Sequence, residues 1–139
     1  MWHEIIGENG IGKFLQDVQF FHDSCIKEIK YVSGAYVDMD ASMYPLNDKR
    51  TLSVIIQRQE IENSTIELEF GELKYLKLFP IDNSFSCEIY EASLFVNDGL
   101  IYWTDRGGTL KDNIDDYDGT IICATTLRWR FVSCSSTEY

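Results

Sequence analysis

Two side chains near the end of the first helical segment have the types that nucleophilic catalysis needs. His22 and Cys25 are three residues apart, and that spacing places two side chains on one face of a continuing α-helix. A histidine beside a cysteine accepts the thiol proton and leaves a thiolate nucleophile, and the same pair would supply two metal ligands. The pattern also predicts that the helix ends near Asp23 and Ser24, which would break the shared face. We therefore favour a core-facing His22 bonded to a backbone group and a buried structural Cys25.

The last strand carries the one concentrated basic feature of the chain. Arg128 and Arg130 share one face of that strand, and two adjacent guanidinium groups bind a carboxylate or a phosphate. Of Tyr102 and Trp103 on the preceding hairpin, one is expected in the core, and the other would add a stacking surface for a ligand. The alternative, which we favour, is that both arginines pair across strands with acidic residues: Glu67, Glu69 or Glu88.

A polar segment that ends at Gly119 contains four closely spaced aspartates: Asp112, Asp115, Asp116 and Asp118. Clustered carboxylates before a glycine are typical of calcium loops. With Gly119 at the sixth loop position, however, Ile114 and Thr125 stand at the first and twelfth positions, where an EF-hand needs Asp and Glu. The segment is therefore predicted to be a solvated turn whose aspartates face a partner, and we expect no metal and no cofactor.

The balance of charge excludes several classes of partner. The 139 residues contain 23 Asp plus Glu against 12 Lys plus Arg, a net charge of −11, which repels phosphate backbones and anionic membrane surfaces. The N-terminus has no signal-like segment, and no apolar run approaches the roughly 20 residues that span a bilayer. The four cysteines form no C-x-x-C pair. We therefore expect a cytoplasmic protein with reduced thiols, with neither nucleic acid nor membrane among its partners.

The hydrophobic pattern predicts one long helix followed by about seven strands. The helix begins at a cap on Asn9 and ends near Asp23 and Ser24. Period-two alternation then indicates strands, with a two-residue turn at 71–72 and an Asn-Asp-Gly turn at 97–99. Short loops favour antiparallel neighbours. The predicted fold class is α+β, an N-terminal helix packed on a strongly bent, mostly antiparallel sheet, with a partly closed barrel as one form of it.

The length is that of a single domain, which we expect to cover residues 1–139 with a loose tail from about residue 133. The helix stripe and the alternating strands also predict which side chains form the core. Eight are expected there: Phe14, Val18, Ile56, Ile66, Leu68, Phe70, Leu127 and Trp129.

Four segments carry a resemblance to other sequences. They are H-D-S-C at 22–25, S-G-A-Y-V at 33–37, D-G-L-I-Y-W at 98–103 and L-R-W-R at 127–130. Over most of its length the chain resembles small uncharacterised bacterial proteins. The resemblance implies no activity and assigns no role to any residue.

These patterns favour a non-enzymatic cytoplasmic interaction protein that presents an acidic surface to a basic protein partner. No motif completes a catalytic set: residues 7–13 match G-x-x-x-x-G-K, but Phe14 stands where a phosphate loop needs Ser or Thr. Small size and acidity suggest an analogy with immunity proteins that neutralise basic toxins. The alternative is a small-ligand module with an anion or aromatic site in the curved sheet, and a third hypothesis is an enzyme that uses His22 and Cys25. Exposed edge strands leave a homodimer open.

Overall fold

Of the nine strands within residues 1–133, seven belong to one sheet and the other two form a separate ribbon. The structure, a computed structural model, describes residues 1–133. One α-helix, α1, spans Gly7–Asp17, and short 3₁₀ turns lie at Gln19–Phe21 and Ile114–Asp116. The strands, in chain order, are β1 (His3–Glu4), β2 (Ser24–Val32), β3 (Tyr36–Val37), β4 (Met43–Tyr44), β5 (Thr51–Arg58), β6 (Thr65–Lys77), β7 (Ser93–Asn97), β8 (Leu100–Thr104) and β9 (Ile121–Val132).

The order of strands in the large sheet is β2-β5-β6-β9-β8-β7, and β1 pairs with β9 beyond the end of β8. Every one of these pairs is antiparallel. One helix with a mostly antiparallel sheet confirms the predicted α+β class at this level of detail. The sheet is not closed, because its path ends at β2 on one side and at β7 on the other. The barrel form of the prediction is therefore not confirmed.

Alternating apolar residues of the central strands form most of the core. Leu52, Val54 and Ile56 of β5 are fully buried, whereas their neighbours are only partly buried, as expected for a sheet with one covered face. All eight predicted core residues are buried. The Phe14 ring of α1 lies 4.7 Å from the Trp129 ring, measured between centroids. Aromatic contacts of this kind add to the area-dependent gain from burial.

The helix is shorter than predicted, and its bounds differ at both ends. It begins at Gly7, without a side-chain cap, and ends at Asp17 rather than near Asp23. After it, left-handed backbone with φ between 53° and 59° runs through Gln19, Phe20 and Phe21. This turn buries Phe21 completely and leaves Phe20 43% exposed. The helix therefore does not continue past this point, and the left-handed turn places Phe21 in the core.

The predicted turn at 71–72 is wrong, whereas the one at 97–99 is confirmed. β6 continues through residues 71–72 because β9 pairs with it along nearly its whole length, with a register shift between Leu73 and Tyr75. The turn of β7 and β8 has positive φ at Asp98 and Gly99, as a two-residue hairpin turn requires. The tail that we expect to be loose lies in residues 134–139, outside the described residues.

Within residues 1–133, no helix has both the length and the apolar character that crossing a membrane requires.

Candidate functional site

His22 and Cys25 lie in different environments. The predicted shared face does not form, since α1 ends at Asp17 and Cys25 lies on β2 opposite Gln57. The His22 side chain is 60% exposed, and its Nδ1 is 3.0 Å from Oδ1 of Asp23, so the expectation of a core-facing histidine is wrong. Burial raises the pKa of the Cys25 thiol, and the nearby Cys87 raises it further. A raised pKa keeps the thiol protonated, the opposite of what an activated nucleophile needs.

A pocket of about 420 Å³ lies beside Cys25, and residues distant in sequence line it. Cys87 and Glu88 enter it from the segment before β7, opposite Asp23. A hydrogen bond between the carboxyl groups of Glu88 and Asp23 raises the pKa of Glu88, because such a pair needs a shared proton. Cys87 carries no local sequence signal that would link it to Cys25, and sequence reasoning missed this neighbourhood.

Arg128 and Arg130 are engaged by side chains of their own chain. Nε of Arg128 donates to Oε1 of Glu69 at 2.7 Å, and Nε of Arg130 donates to Oε1 of Glu67 at 2.8 Å. These are the cross-strand partners in the register of β6 and β9. Each guanidinium carbon also lies 4.2 Å from the centroid of a Trp2 ring, a cation–π contact that sequence reasoning missed. A ligand anion would therefore compete with both carboxylates.

Tyr102 and Trp103 lie near the opposite end of β9 from these arginines, paired with Cys123 and Ile122. Trp103 is fully buried. Tyr102 points to the other face of β8 and stacks on Phe95, with 5.0 Å between ring centroids. Burial, together with a hydrogen bond to Cys123, raises the pKa of Tyr102 to about 12. The four residues that we considered for a small ligand do not form one site.

The four aspartates belong to an acidic loop, defined here as residues 105–119, which is anchored at several points. The Tyr117 hydroxyl donates to Oδ1 of Asp105. Nζ of Lys77 on β6 donates to the Tyr117 carbonyl at 2.6 Å. Oδ1 of Asn113 accepts from the Leu110 amide at 2.7 Å. The loop therefore has defined attachments to itself and to the sheet, although it contains only one short 3₁₀ turn.

The carboxylates of the acidic loop are directed to solvent. Asp112, Asp115 and Asp116 are exposed, and in the part of the chain that the structure describes no salt bridge involves them. Asp118 approaches Nζ of Lys77 only at 4.0 Å, and its side chain is 92% exposed. Among residues 1–133, no three His, Cys, Asp or Glu side chains are grouped so as to hold a metal ion.

Exposed apolar side chains lie within the acidic loop and in the segment that follows β6. Leu78 and Phe79 follow β6 directly and are about half exposed, and Leu110 within the loop is 58% exposed. The Phe79 amide donates to Oγ1 of Thr120 at 3.1 Å, so this segment begins beside the end of the acidic loop. We call residues 78–79 and 105–119 together the acidic face. Apolar side chains surrounded by charged ones are typical of protein-binding surfaces.

A separate cleft of about 790 Å³ is lined by residues of α1, the end of β9 and the loop between β5 and β6. Trp129 and Phe131 line it, edge to face with 5.0 Å between ring centroids. The Arg58 guanidinium is 5.6 Å from the Phe131 centroid, and its Nη2 donates to the Asn63 carbonyl at 2.9 Å. Arg58 Nε is buried and has no hydrogen-bond partner within residues 1–133. Burial lowers the pKa of Arg58.

Comparisons of the chain with family models, with curated proteins and with solved structures each found no match.

Proposed function

We propose that this protein is a non-enzymatic interaction protein that binds a basic protein partner through its acidic face. One observation carries the proposal. The acidic loop is held by hydrogen bonds of its own Tyr117, Asn113 and Asp105, while three of its aspartates have no ionic partner among the described residues. Surface charges held in place before binding lose less conformational entropy when a partner arrives.

The distribution of charge supports a basic partner. Between residues 78 and 119 there are nine acidic side chains and two basic ones, and five of those acids lie in the acidic face itself. A field of this kind steers an oppositely charged protein and raises the association rate, and salt weakens the effect. The exposed Leu78, Phe79 and Leu110 would supply the apolar contacts that charge alone does not provide.

The test is a pull-down from a bacterial lysate with matched variants. The first variant converts the four loop aspartates to asparagine: Asp112, Asp115, Asp116 and Asp118. The control removes the same number of negative charges from exposed positions outside the acidic face by conversion to the corresponding amide: Glu8, Glu28, Asp40 and Glu62.

We expect the wild-type protein and the control to retain the same basic protein at low salt and to release it at high salt. The loop variant should lose it at both. If the two variants lose the protein equally, net charge alone explains the capture, and the acidic face has no special role. Retention of the protein by the loop variant would contradict the proposal directly.

A small-ligand module is the second candidate function, and the unpartnered Nε of Arg58 favours it. We propose that α1 packs on the bent sheet through Phe14 and so forms one wall of the cleft. A ligand would lay a flat apolar group against Trp129 and Phe131 and place an acceptor group beside the Arg58 guanidinium. A volume of about 790 Å³ lies in the usual range for small-molecule sites.

The charges around the cleft restrict the ligand further. Lys13 is paired with Asp17 at 3.1 Å, and Glu4, Glu60 and Glu62 also line the cleft, so a net negative ligand is disfavoured. Calorimetric titration should therefore show tighter binding of indole-3-acetamide than of indole-3-acetate, with binding of the amide lost in Arg58→Met. No saturable binding of either compound at millimolar concentration would count against a ligand site here.

A further inference from the structure

The start of β2 meets the segment that leads into β7 at one place, which we call the seam. Ser24, at the start of β2, and Ile89, shortly before β7, form an isolated antiparallel bridge. The Ser24 amide donates to the Ile89 carbonyl at 3.3 Å, and the Ile89 amide donates to the Ser24 carbonyl at 2.7 Å. A further bond runs from the Ala92 amide to the Phe20 carbonyl at 2.9 Å. These three backbone hydrogen bonds hold two segments that are distant in sequence.

A cysteine stands next to the bridge on each side of the seam. Cys25 follows Ser24 directly, and Cys87 precedes Ile89 by two residues. Both line the same pocket of about 420 Å³. With Ser24 opposite Ile89, an antiparallel register sets Glu88 opposite Cys25, so Cys87 is offset by one residue from the facing position. Facing Cα atoms lie about 4.5–5.5 Å apart and a strand rises about 3.3 Å per residue, so an offset of one residue gives a Cα separation of about 6 Å, within the range of about 4.4–6.8 Å that disulfides span. Cys87 belongs to no strand, so strand alternation does not direct its side chain to the face opposite that of Cys25.

We propose that Cys25 and Cys87 are a redox pair that a glutathione-type small-molecule disulfide oxidises to a disulfide across the seam. The Cys87 thiolate attacks one sulfur of the small disulfide, whose S–S bond breaks and releases the first small thiol. The Cys25 sulfur then attacks the Cys87 sulfur of the mixed disulfide, gives up its proton and displaces the second small thiol. Two electrons pass from the protein thiols to the small disulfide, and the two protons end on the released thiols.

The environments of the two thiols set this order of attack. Cys87 is exposed, so a disulfide molecule reaches it from solvent. Cys25 is half-buried, and burial raises its pKa, so it is the poorer first nucleophile. It nevertheless lines the same pocket as Cys87 and acts as the resolving thiol. Cys123 is only 1% exposed, in contact with Tyr102, so the folded protein protects it from the same reagent.

The consequence of oxidation is a covalent link between β2 and the segment that leads into β7. The bond would close a ring over residues 25–87, which lowers the entropy of the unfolded chain. We expect the oxidised protein to melt about 5–10 °C above the reduced protein. The link would also close part of the pocket that Cys25 and Cys87 line.

The test uses the full chain, with and without Cys134→Ser, incubated with mixtures of oxidised and reduced glutathione. Peptide mass spectrometry without reduction should find the Cys25–Cys87 crosslink, and thermal melting should show the rise, reversed by dithiothreitol. In Cys25→Ser, made in the Cys134→Ser background, the reaction should stop at a single glutathione adduct on Cys87. In Cys87→Ser neither crosslink nor rise should occur, whereas Cys123→Ser should still form the crosslink.

Two results would overturn the proposal. The first is a wild-type protein that gains glutathione adducts but no Cys25–Cys87 crosslink at any ratio. The second is a crosslink that forms only after the protein is unfolded in denaturant, because the native seam would then not hold the two thiols together.

Discussion

The substitution Tyr117→Phe tests whether the acidic loop is held in place before a partner binds. The Tyr117 hydroxyl donates to Oδ1 of Asp105, and the Thr120 amide donates to the same oxygen at 3.3 Å. The ring also covers Gly119, since a Cβ at that position would lie 2.3 Å from the ring atom Cζ of Tyr117. Phenylalanine retains the ring and its packing and removes only the hydroxyl.

The size of the effect follows from these contacts. A hydrogen bond to a charged group contributes about 1.5–3 kcal/mol. Tyr117 is only half-buried, and Asp105 keeps the Thr120 amide as a donor, so we expect a loss of about 1–2 kcal/mol in the free energy of unfolding. For a domain of this length that corresponds to a Tm lower by about 3–8 °C. Amide exchange within residues 105–119 should become faster.

The dependence on pH gives an independent check. Burial and the hydrogen bond to Asp105 raise the pKa of Tyr117 above its ordinary value of 10.0. An unfolded Tyr117 therefore ionises first, and the unfolded state binds fewer protons above pH 10. The stabilisation by the hydroxyl is complete below pH 10 and is lost as the pH rises through the folded-state pKa. The difference in Tm between wild type and Tyr117→Phe should shrink above pH 10.

The control is Tyr90→Phe, because the Tyr90 side chain is 70% exposed. Thermal melts, hydrogen exchange and the lysate pull-down should be run on both variants. If Tyr117→Phe matches Tyr90→Phe in Tm and in the exchange of residues 105–119, the hydroxyl does not anchor the loop. The acidic face would then not be preorganised, even if the aspartates still bind a partner.

Three further perturbations test the fold around the two candidate sites. Phe14→Ala should lower the free energy of unfolding, measured by chemical denaturation, by about 3–5 kcal/mol, because Phe14 is 1% exposed. The control Phe20→Ala should change it by less than about 0.5 kcal/mol, and equal effects of the two substitutions would refute the packing of α1. Tyr102→Phe should reduce the loss of stability between pH 10 and pH 12, because Tyr102 has a pKa near 10 in the unfolded chain and about 12 in the folded one. A melting temperature that falls with alkaline pH as steeply as in the wild type would contradict this prediction. Gly34→Ala should lower the free energy of unfolding by about 1–3 kcal/mol, because φ of Gly34 is +101° and a Cβ there would collide with Oδ1 of Asp48. A melting curve like that of the wild type would show that the loop accommodates the Cβ.

Rules that act over a few residues predicted their part of the fold correctly. The alternation in Thr65–Lys77 begins with a buried face of Ile66, Leu68 and Phe70, and the Asn-Asp-Gly segment forms the predicted hairpin. In both cases the deciding physics is local. Side chains alternate along any strand, and the backbone conformation of a two-residue turn is set by its own residues.

The incorrect predictions depended on distant partners. Gly71-Glu72 has the composition of a hairpin turn, but β9 supplies hydrogen bonds on both sides of it, and a paired strand satisfies more backbone groups than an isolated turn. The helical hydrophobic pattern extends beyond Asp17, but the backbone makes a left-handed turn after the helix, and this turn buries Phe21 in the core. Neither competing interaction lies near enough in the chain for periodicity to reveal it.

By itself, the sequence determined the net charge, the position of the four loop aspartates, the antiparallel class and eight of the buried side chains, because composition and short-range alternation are sufficient for these. The tertiary structure alone decided that Trp2 lies beside Arg128 and Arg130, and that Tyr117 anchors the acidic loop through Asp105. It also decided that Cys25 and Cys87 line one pocket at the seam. Each of these contacts joins segments whose separation is set by the strand order of the sheet, and strand order is a property of the whole chain rather than of any local pattern.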